Sequence, residues 1–215
     1  MKPRFSLLAM LVLLFPLMAC AESTPTESYL PGKHYMVLDA PVRTRDATKI
    51  EVVEVFWHGC PHCYDFEPLV KAWKKTAGDD VDFWQSPAMW RANMNIHAQA
   101  FYTAKALGVL HQLNDALFTS LVVERKKLDD QDEVAALFAK YGVERADFDK
   151  AFNSFSVKSQ VKQADARARS YQITGTPELI VNGKYRVSGR TAGSKEAMIK
   201  VVDYLIAKER AAAKQ

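Results

Sequence analysis

The stretch that decides the fold is IEVVEVFWHGCPHC, residues 50–63. Its first eight residues, 50–57, are rich in β-branched and aromatic side chains and predict a buried strand that leads directly into the cysteine motif. Beyond Cys63, apolar residues recur at helical spacing, at Phe66, Leu69, Val70 and Trp73. Cys60 is therefore expected at or near the N-terminus of a helix.

Outward from this stretch, the pattern predicts a strand, helix and strand unit, a helical block and a final hairpin. The second strand is expected at 81–85 and completes a βαβ unit. Helical periodicity extends from Pro87 to about Tyr171, with an expected capping box at Asp130 and Glu133 and a stop at Gly142. Its three apolar stripes are Leu113, Leu117, Leu121 and Val122; Val134, Leu137, Phe138 and Tyr141; and Phe148, Phe152 and Phe155.

The C-terminal part returns to strands. Asn182-Gly183 between apolar runs at 178–181 and 185–188 is a strong hairpin signal. A last helix is expected from about 194 to 207, and residues 35–38 are a candidate edge strand. The sequence thus predicts an α/β fold interrupted by an all-helical segment.

Composition is that of a globular protein, with 48% hydrophobic and 25% charged residues in a chain of 215. The formal net charge of +4 falls to +2 without residues 1–19, because Lys2 and Arg4 leave and no acid does. Such a balanced charge argues against a nucleic-acid-binding protein.

The N-terminus has the pattern of an export signal. Two cations precede an apolar run from Phe5 to Met18, which is short for a transmembrane span. Leu17-Met18-Ala19-Cys20 resembles a bacterial lipobox, so we expect a signal peptide at 1–19, a lipid on the sulfur of Cys20, and a linker at 20–33. Ordinary cleavage after Ala19 or Cys20 is the alternative.

The remaining cysteines, Cys60 and Cys63, form the one possible pair. A disulfide that closes so small a loop restricts the unfolded chain little, so the pair calls for a chemical role. Backbone N–H groups and the dipole at a helix start favour a thiolate, which makes Cys60 the expected nucleophile and Cys63 the resolving thiol. The alternatives are an inert disulfide and a zinc site helped by His58, His62 or His97, although zinc normally takes four ligands.

The size of the helix-dipole effect shows that the dipole alone does not account for a strongly lowered pKa of the Cys60 thiol. Its contribution of up to about 2 kcal/mol lowers a thiol pKa by roughly 1.5 units, from about 8.5 to near neutrality. Further lowering needs local donors, and the imidazole of His62, beside Pro61, is one candidate. A depressed pKa stabilises the dithiol form, so this pair is expected to be an oxidant.

Other polar and sulfur-containing residues have weaker cases. Glu54, on the predicted buried strand, is expected either to relay protons to and from Cys63 or to pair with a lysine or face solvent at an edge. The three histidines His58, His97 and His111 are expected to be surface or packing residues. Met89, Trp90 and Met94 would suit either a tolerant peptide-binding surface or a plain core.

The motif from Phe56 to Cys63, followed by Tyr64, together with Gly175-Thr176-Pro177, resembles the DsbA family of the thioredoxin superfamily. The resemblance covers roughly residues 31–210. It implies a thioredoxin fold whose two parts, 34–86 and 164–210, flank a helical insertion domain at 87–163, with a tail at 211–215. It also implies that Pro177 is a cis-proline, that the backbone of Thr176 pairs with a substrate peptide, and that Glu54 is the buried acid beneath the disulfide.

The same resemblance implies a function. It is that of a periplasmic oxidoreductase that introduces disulfides into reduced, unfolded exported proteins, with no cofactor beyond the Cys60–Cys63 disulfide, no metal, and a DsbB-like membrane quinone reductase as partner. We expect a monomer that contacts the membrane only through its lipid. Thr176 is commoner among isomerase-like relatives than in the prototype oxidase, so an isomerase or reductase kept reduced by a DsbD-type partner stays open, as does a non-catalytic chaperone-like lipoprotein.

Overall fold

The computed structural model describes residues 29–213. The signal peptide predicted at 1–19, the lipid site predicted at Cys20 and most of the linker predicted at 20–33 lie outside these residues. A five-stranded mixed sheet forms the centre, in the order β1-β5-β4-β2-β3. Its strands are β1 (Met36–Val37), β2 (Ile50–Phe56), β3 (Val81–Pro87), β4 (Glu178–Val181) and β5 (Tyr185–Ser188).

The connections follow the predicted order. β2 and β3 are parallel and are joined by a helix, while β4 is antiparallel to both β2 and β5. The helices are α1 (Pro61–Lys74), α2 (Ala92–Ala106), α3 (Leu110–Phe118), α4 (Gln131–Ala139), α5 (Arg145–Phe152), α6 (Phe155–Ser170), α7 (Gly189–Ala192) and α8 (Lys195–Ala212), with a π-helical turn at Thr119–Val123 after α3. The βαβ unit, the helical block and the hairpin are thus confirmed.

Separate apolar cores hold these layers together. One face of the sheet packs on α1 and α8, for example through Val52, Phe66 and Leu205. The helical block has a core of its own, which contains Leu113, Phe138 and Phe148. A further cluster joins the two regions, and it contains both cysteines with Phe56, Met89, Met94, Phe101 and Phe118. The predicted redox pair therefore lies where the sheet meets the helical block.

Some boundaries differ from expectation. Phe155, placed by its spacing in an apolar stripe, is 88% exposed, because it begins α6 directly after the cap Ser154 and no longer belongs to the face of α5. The last helix continues to Ala212, into the tail predicted at 211–215. The predicted border between residues 163 and 164 falls inside the continuous helix α6, and the division into domains remains a prediction.

Candidate active site

The two cysteines lie three residues apart at the start of α1, one at its N-cap and one in its first turn. Cys60 is the N-cap residue, with extended backbone angles, and its carbonyl accepts bonds of 3.1 Å from the backbone N–H groups of Cys63 and Tyr64. The residue is 8% exposed, whereas Cys63 is fully buried. Pro61 takes the first helical position, where a missing N–H costs nothing. The prediction that Cys60 begins the helix is confirmed.

Hydrogen-bond donors converge on the Cys60 sulfur. They lower its pKa to about 5, and the largest cause is the bond from the Cys63 thiol, which outweighs the opposing effect of burial. The Thr176 hydroxyl and the backbone N–H groups of Cys63 and His62 add to the lowering. His62 therefore contributes through its backbone N–H, and a further contribution from its imidazole stays a prediction.

The pKa of Cys63 is shifted in the opposite direction. Burial raises the pKa of its thiol well above the ordinary value, and the nearby charges of Cys60 and Glu54 raise it further. The pair is thus asymmetric, since one sulfur favours the thiolate and the other keeps its proton.

Glu54 lies beneath this pair on the central strand β2, fully buried. Its Oε2 accepts a bond of 2.8 Å from the Gln85 amide, and its Oε1 has no hydrogen-bond partner. Burial, together with the charge of Glu67, raises the pKa of Glu54 to about 8. The alternatives of an edge position or a lysine partner are wrong for this residue, because β3 and β4 flank its strand and Gln85 is its partner.

A chain of buried polar groups that the sequence analysis did not identify continues from Glu54. The Gln85 amide also donates to Glu67 at 3.1 Å, and Asn114 of α3 donates to the other oxygen of Glu67 at 2.7 Å. The sequence does contain a pattern from which Gln85 and Glu67 could have been identified. Gln85 stands directly opposite Glu54 in the parallel register, and Glu67 follows Cys63 by one helical turn on the buried face of α1.

His58 is the last member of this hydrogen-bonded series, and it is a packing residue. Its Nε2 lies 3.0 Å from the Asn114 side-chain oxygen, and its ring packs between Phe56 and Phe118. Burial lowers the pKa of His58 to about 3, so the ring is neutral at physiological pH.

His97 also has a structural role. Its Nδ1 accepts a 2.9 Å bond from the Trp57 indole, and its Nε2 bonds the carbonyl of Lys127 at 2.9 Å. The Trp57 ring lies against Gly59, where a Cβ atom would come within 2.6 Å of Cε2. A side chain at position 59 would therefore displace the indole that precedes the cysteines.

The remaining candidates separate by exposure. His111 is exposed, as a surface residue. Met89 and Met94 are buried in the cluster that contains the cysteines, which favours their core interpretation. Trp90 is 52% exposed and is the one member of that sulfur and aromatic group available to a peptide.

The Thr176–Pro177 loop faces the cysteines across the site. The peptide bond between these residues is cis, and the Thr176 carbonyl oxygen accepts a 3.4 Å bond from the Cys60 thiol. A groove of about 800 Å³ begins here, with His62, Thr176 and Pro177 in its wall. The loop that contacts Cys60 is therefore also part of the groove wall.

Known proteins resemble this chain over most of its length. Residues 71–196 match the model of the DSBA-like thioredoxin domain. The thiol:disulfide interchange protein DsbA of Pseudomonas aeruginosa is 44% identical over 189 residues, which cover 88% of this chain and 90% of that protein. The DsbA of Azotobacter vinelandii is 43% identical, over 93% of both chains.

The chain belongs to the DsbA family. The crystal structure of P. aeruginosa DsbA superposes with a TM-score of 0.83 at 44% identity, covering 87% of this chain and 97% of that one. A DsbA from Xylella fastidiosa gives a TM-score of 0.79 at 32% identity, over 85% of this chain and 98% of the other. These likenesses confirm the thioredoxin fold with its helical insertion.

As a DsbA-family member, the chain is a thiol:disulfide oxidoreductase, and enzymes of this kind work through a redox-active cysteine pair without an external cofactor. In the part of the chain that the structure describes, no group of three or more His, Cys, Asp or Glu side chains is arranged to hold a metal ion. Among residues 29–213, no helix combines the length and the apolar composition needed to cross a membrane.

Proposed function

We propose that this DsbA-family enzyme introduces disulfide bonds into reduced, unfolded proteins exported to the periplasm, with Cys60 as the sulfur that clients attack. The observation that supports it best is the opposite ionisation of the two cysteines, a pKa of about 5 for Cys60 and a raised one for Cys63. A stable Cys60 thiolate favours the reduced enzyme, and this makes its disulfide an oxidant.

The proposed reaction moves two electrons from the client dithiol to the enzyme disulfide. Of the two client protons, the equivalent of one ends on Cys63 and the other goes to solvent, because Cys60 is released as a thiolate. A client thiolate attacks Sγ of Cys60, the Cys60–Cys63 bond breaks, and Cys63 leaves with the electron pair. The second client thiolate then attacks the client sulfur of the mixed disulfide and displaces the Cys60 thiolate. The client leaves oxidised and the enzyme reduced.

Glu54 is the proposed proton donor for the leaving sulfur of Cys63. With a pKa raised to about 8 by burial, its carboxyl group is mostly protonated at neutral pH. Its charge also raises the pKa of Cys63, so the two groups are coupled. Transfer of the proton avoids a buried Cys63 thiolate, and reoxidation reverses this transfer.

Client binding is proposed at Thr176 and Pro177. A carbonyl group 3.4 Å from the Cys60 sulfur can pair with the N–H of an extended client segment and place the client cysteine against the reactive sulfur. Pro61 contributes by starting α1, and His62 by the backbone N–H that it directs at Cys60.

The test is oxidative refolding of a reduced, unfolded substrate in glutathione buffer. Wild-type enzyme should accelerate disulfide formation, while Cys60→Ser should leave it at the uncatalysed rate. Equal rates for the two enzymes would contradict the proposal. The redox potential, measured by equilibration with glutathione, should be more oxidising than that of the glutathione pool.

A second candidate, a disulfide isomerase or reductase kept reduced by a DsbD-type partner, is favoured by one observation. The Thr176 hydroxyl helps to stabilise the Cys60 thiolate, the state that an isomerase needs at rest. Two measurements separate the candidates: the thiol state of the enzyme in cells, and its action on a substrate with scrambled disulfides. A mainly reduced pool that repairs the scrambled substrate would favour the isomerase.

Location and partners complete the proposal. The enzyme is placed in the periplasm as a monomer, tethered through a lipid on Cys20 and reoxidised by a DsbB-like membrane quinone reductase. Labelled fatty acid should enter the wild type and not Cys20→Ala. Membrane vesicles that contain the quinone reductase should reoxidise the reduced enzyme, and light scattering should give the mass of one chain.

A further inference from the structure

The groove beside the cysteines has a pair of opposite charges in its wall. Arg186 of β5 and Glu178 of β4 lie on the same face of the hairpin, because Ser188, two residues beyond Arg186, pairs with Glu178 in the strand register. Their side chains are 15% and 3% exposed, and both residues line the groove. Charged groups so deeply placed normally have complete sets of partners.

This pair is incompletely satisfied. Arg186 Nε and Glu178 Oε2 are 3.6 Å apart, too far for a good hydrogen bond. Neither Glu178 Oε2 nor Arg186 Nη1 has a hydrogen-bond partner. The other oxygen of Glu178 is taken, since it accepts from the backbone and hydroxyl groups of Thr174. Arg186 Nη1 is itself buried, so the guanidinium, which stays charged at any physiological pH, is available to the groove through the 15% of the Arg186 side chain that is exposed.

The rim of the groove adds positive charge. Arg190 lines it, is exposed and has no ion-pair partner among residues 29–213. Lys195, also in the rim, bonds to the exposed carboxylate of Asp65 at 3.0 Å. The acid on this side, Glu196, lies in the first turn of α8, where it interacts with its own backbone and Ser194. Lys195 is thus paired with Asp65, and Arg190 is the cation of the rim that has no ion pair within the described residues.

We infer that this groove contains a subsite for a carboxylate group of the client, with Arg186 as a specificity-determining residue. The carboxylate is an Asp or Glu side chain or the C-terminus of the client segment. The inference rests on the proposed function, since it requires a client bound at Thr176 and Pro177. Its chemistry is that of a guanidinium, which pairs with carboxylates through two parallel hydrogen bonds.

The separation between the Cys60 sulfur and Arg186 determines which position of the client segment would carry the carboxylate. Thr176 contacts Cys60, and Glu178 begins β4 two residues later, so the subsite lies farther along the groove, where an extended client segment advances about 3.3 Å per residue. A client segment that pairs with the loop would bring a side chain two to four residues from its cysteine, by the same spacing, over Arg186.

The test compares three cysteine peptides that carry Glu, Gln or Lys at this spacing. Rates of mixed-disulfide formation with the oxidised enzyme are measured by mass spectrometry. Each rate is divided by the rate of the same peptide with oxidised glutathione, because a nearby charge also changes the reactivity of the peptide thiol. Two further Gln peptides, one with a free and one with an amidated C-terminus close to the cysteine, distinguish a terminal carboxylate from a side chain.

Wild-type enzyme should prefer Glu to Gln by about tenfold, and Lys should react most slowly, with the preference shrinking at high salt. In Arg186→Gln the Glu to Gln ratio should fall toward one. Arg186→Lys keeps the charge and loses the planar guanidinium, so it should show an intermediate Glu to Gln ratio. If Arg186→Gln does not fold, Arg186→Lys is the variant that tests the inference. Lys162→Gln removes an exposed cation of α6 and should keep the wild-type ratio.

Equal normalised rates for the Glu and Gln peptides in the wild type, together with equal rates for the free and the amidated C-terminus, would overturn the inference while leaving the proposed function intact. So would an unchanged preference in Arg186→Gln. If none of the peptides formed a mixed disulfide with wild-type enzyme, the proposed client site would itself be wrong, and the inference with it.

Discussion

The Cys63 thiol donates a hydrogen bond to the sulfur of Cys60, and it is the largest cause of the pKa of about 5 at Cys60. The donor is itself buried and holds its proton to a pKa well above the ordinary value. One buried group thus makes the other reactive, and the reduced state is stabilised by a contact that the disulfide state does not contain.

We expect Cys63→Ala to raise the pKa of Cys60 by about one to two units, because a hydrogen bond to a charged group is worth about 1.5–3 kcal/mol. Cys63→Ser keeps a hydroxyl donor at the same place and should stay near the wild-type value. Thiolate absorbance in the ultraviolet, recorded against pH, measures both variants. The same pKa in both would show that the contact has no such effect.

Glu54 should make the protein less stable in alkaline solution. Its folded pKa of about 8 lies above the ordinary value of 4.5, so its contribution to stability is complete below pH 4.5 and is lost as the pH rises through 8. Glu54→Gln should remove this loss, which amounts to several kcal/mol at about 1.4 kcal/mol per unit. Urea unfolding across this pH range measures it.

The control for Glu54 is Glu144→Gln, which changes an exposed carboxylate to the same amide. It should keep the wild-type slope of stability against pH. A Glu54→Gln variant with that slope as well would argue against a raised pKa.

His58 should act at the other end of the pH scale. Its folded pKa of about 3 lies below the ordinary 6.5, so the stability it contributes is complete above pH 6.5 and is lost as the pH falls through 3. His58→Gln keeps an amide donor for Asn114 without a titrating ring, and its acid unfolding should be less steep. His111→Gln, at the surface, is the matched control and should keep the wild-type dependence of stability on pH. The same dependence in His58→Gln would show that His58 does not have a lowered pKa.

Gly59→Ala tests the packing in front of the cysteines. The new methyl group would overlap the Trp57 ring, so we expect a loss of about 1–3 kcal/mol in unfolding free energy and slower client oxidation. For the unfolding measurement alone Gly175→Ala is a suitable control, because a Cβ there would lie at an ordinary 3.9 Å from the Glu178 side chain.

A second substitution identifies the cause of that loss. Trp57→Leu in the Gly59→Ala background should restore part of the stability, because it removes the overlapping ring. An additive double mutant would place the strain elsewhere.

Local patterns predicted the elements of this fold, since strand β2, the start of α1 at Cys60 and the Asn182-Gly183 hairpin each depend on residues close in sequence. The series of polar contacts that starts at Glu54 did not follow from such patterns, because Gln85, which bonds Glu54, and Asn114, which bonds Glu67, belong to a different strand and a different helix. The sequence named the side chain of His62 as one candidate donor, and the structure adds its backbone N–H at the helix start.

The bond from Asn114 to Glu67 joins the helical block to the helix that bears the cysteines. The helical block therefore cannot be replaced by another without effect, because it provides the Asn114 side-chain amide, which bonds to both Glu67 and His58. A chimaera given the helical block of another oxidoreductase would lose these contacts unless an equivalent amide came with it. Its redox behaviour would then differ even though every residue of the cysteine motif had been preserved.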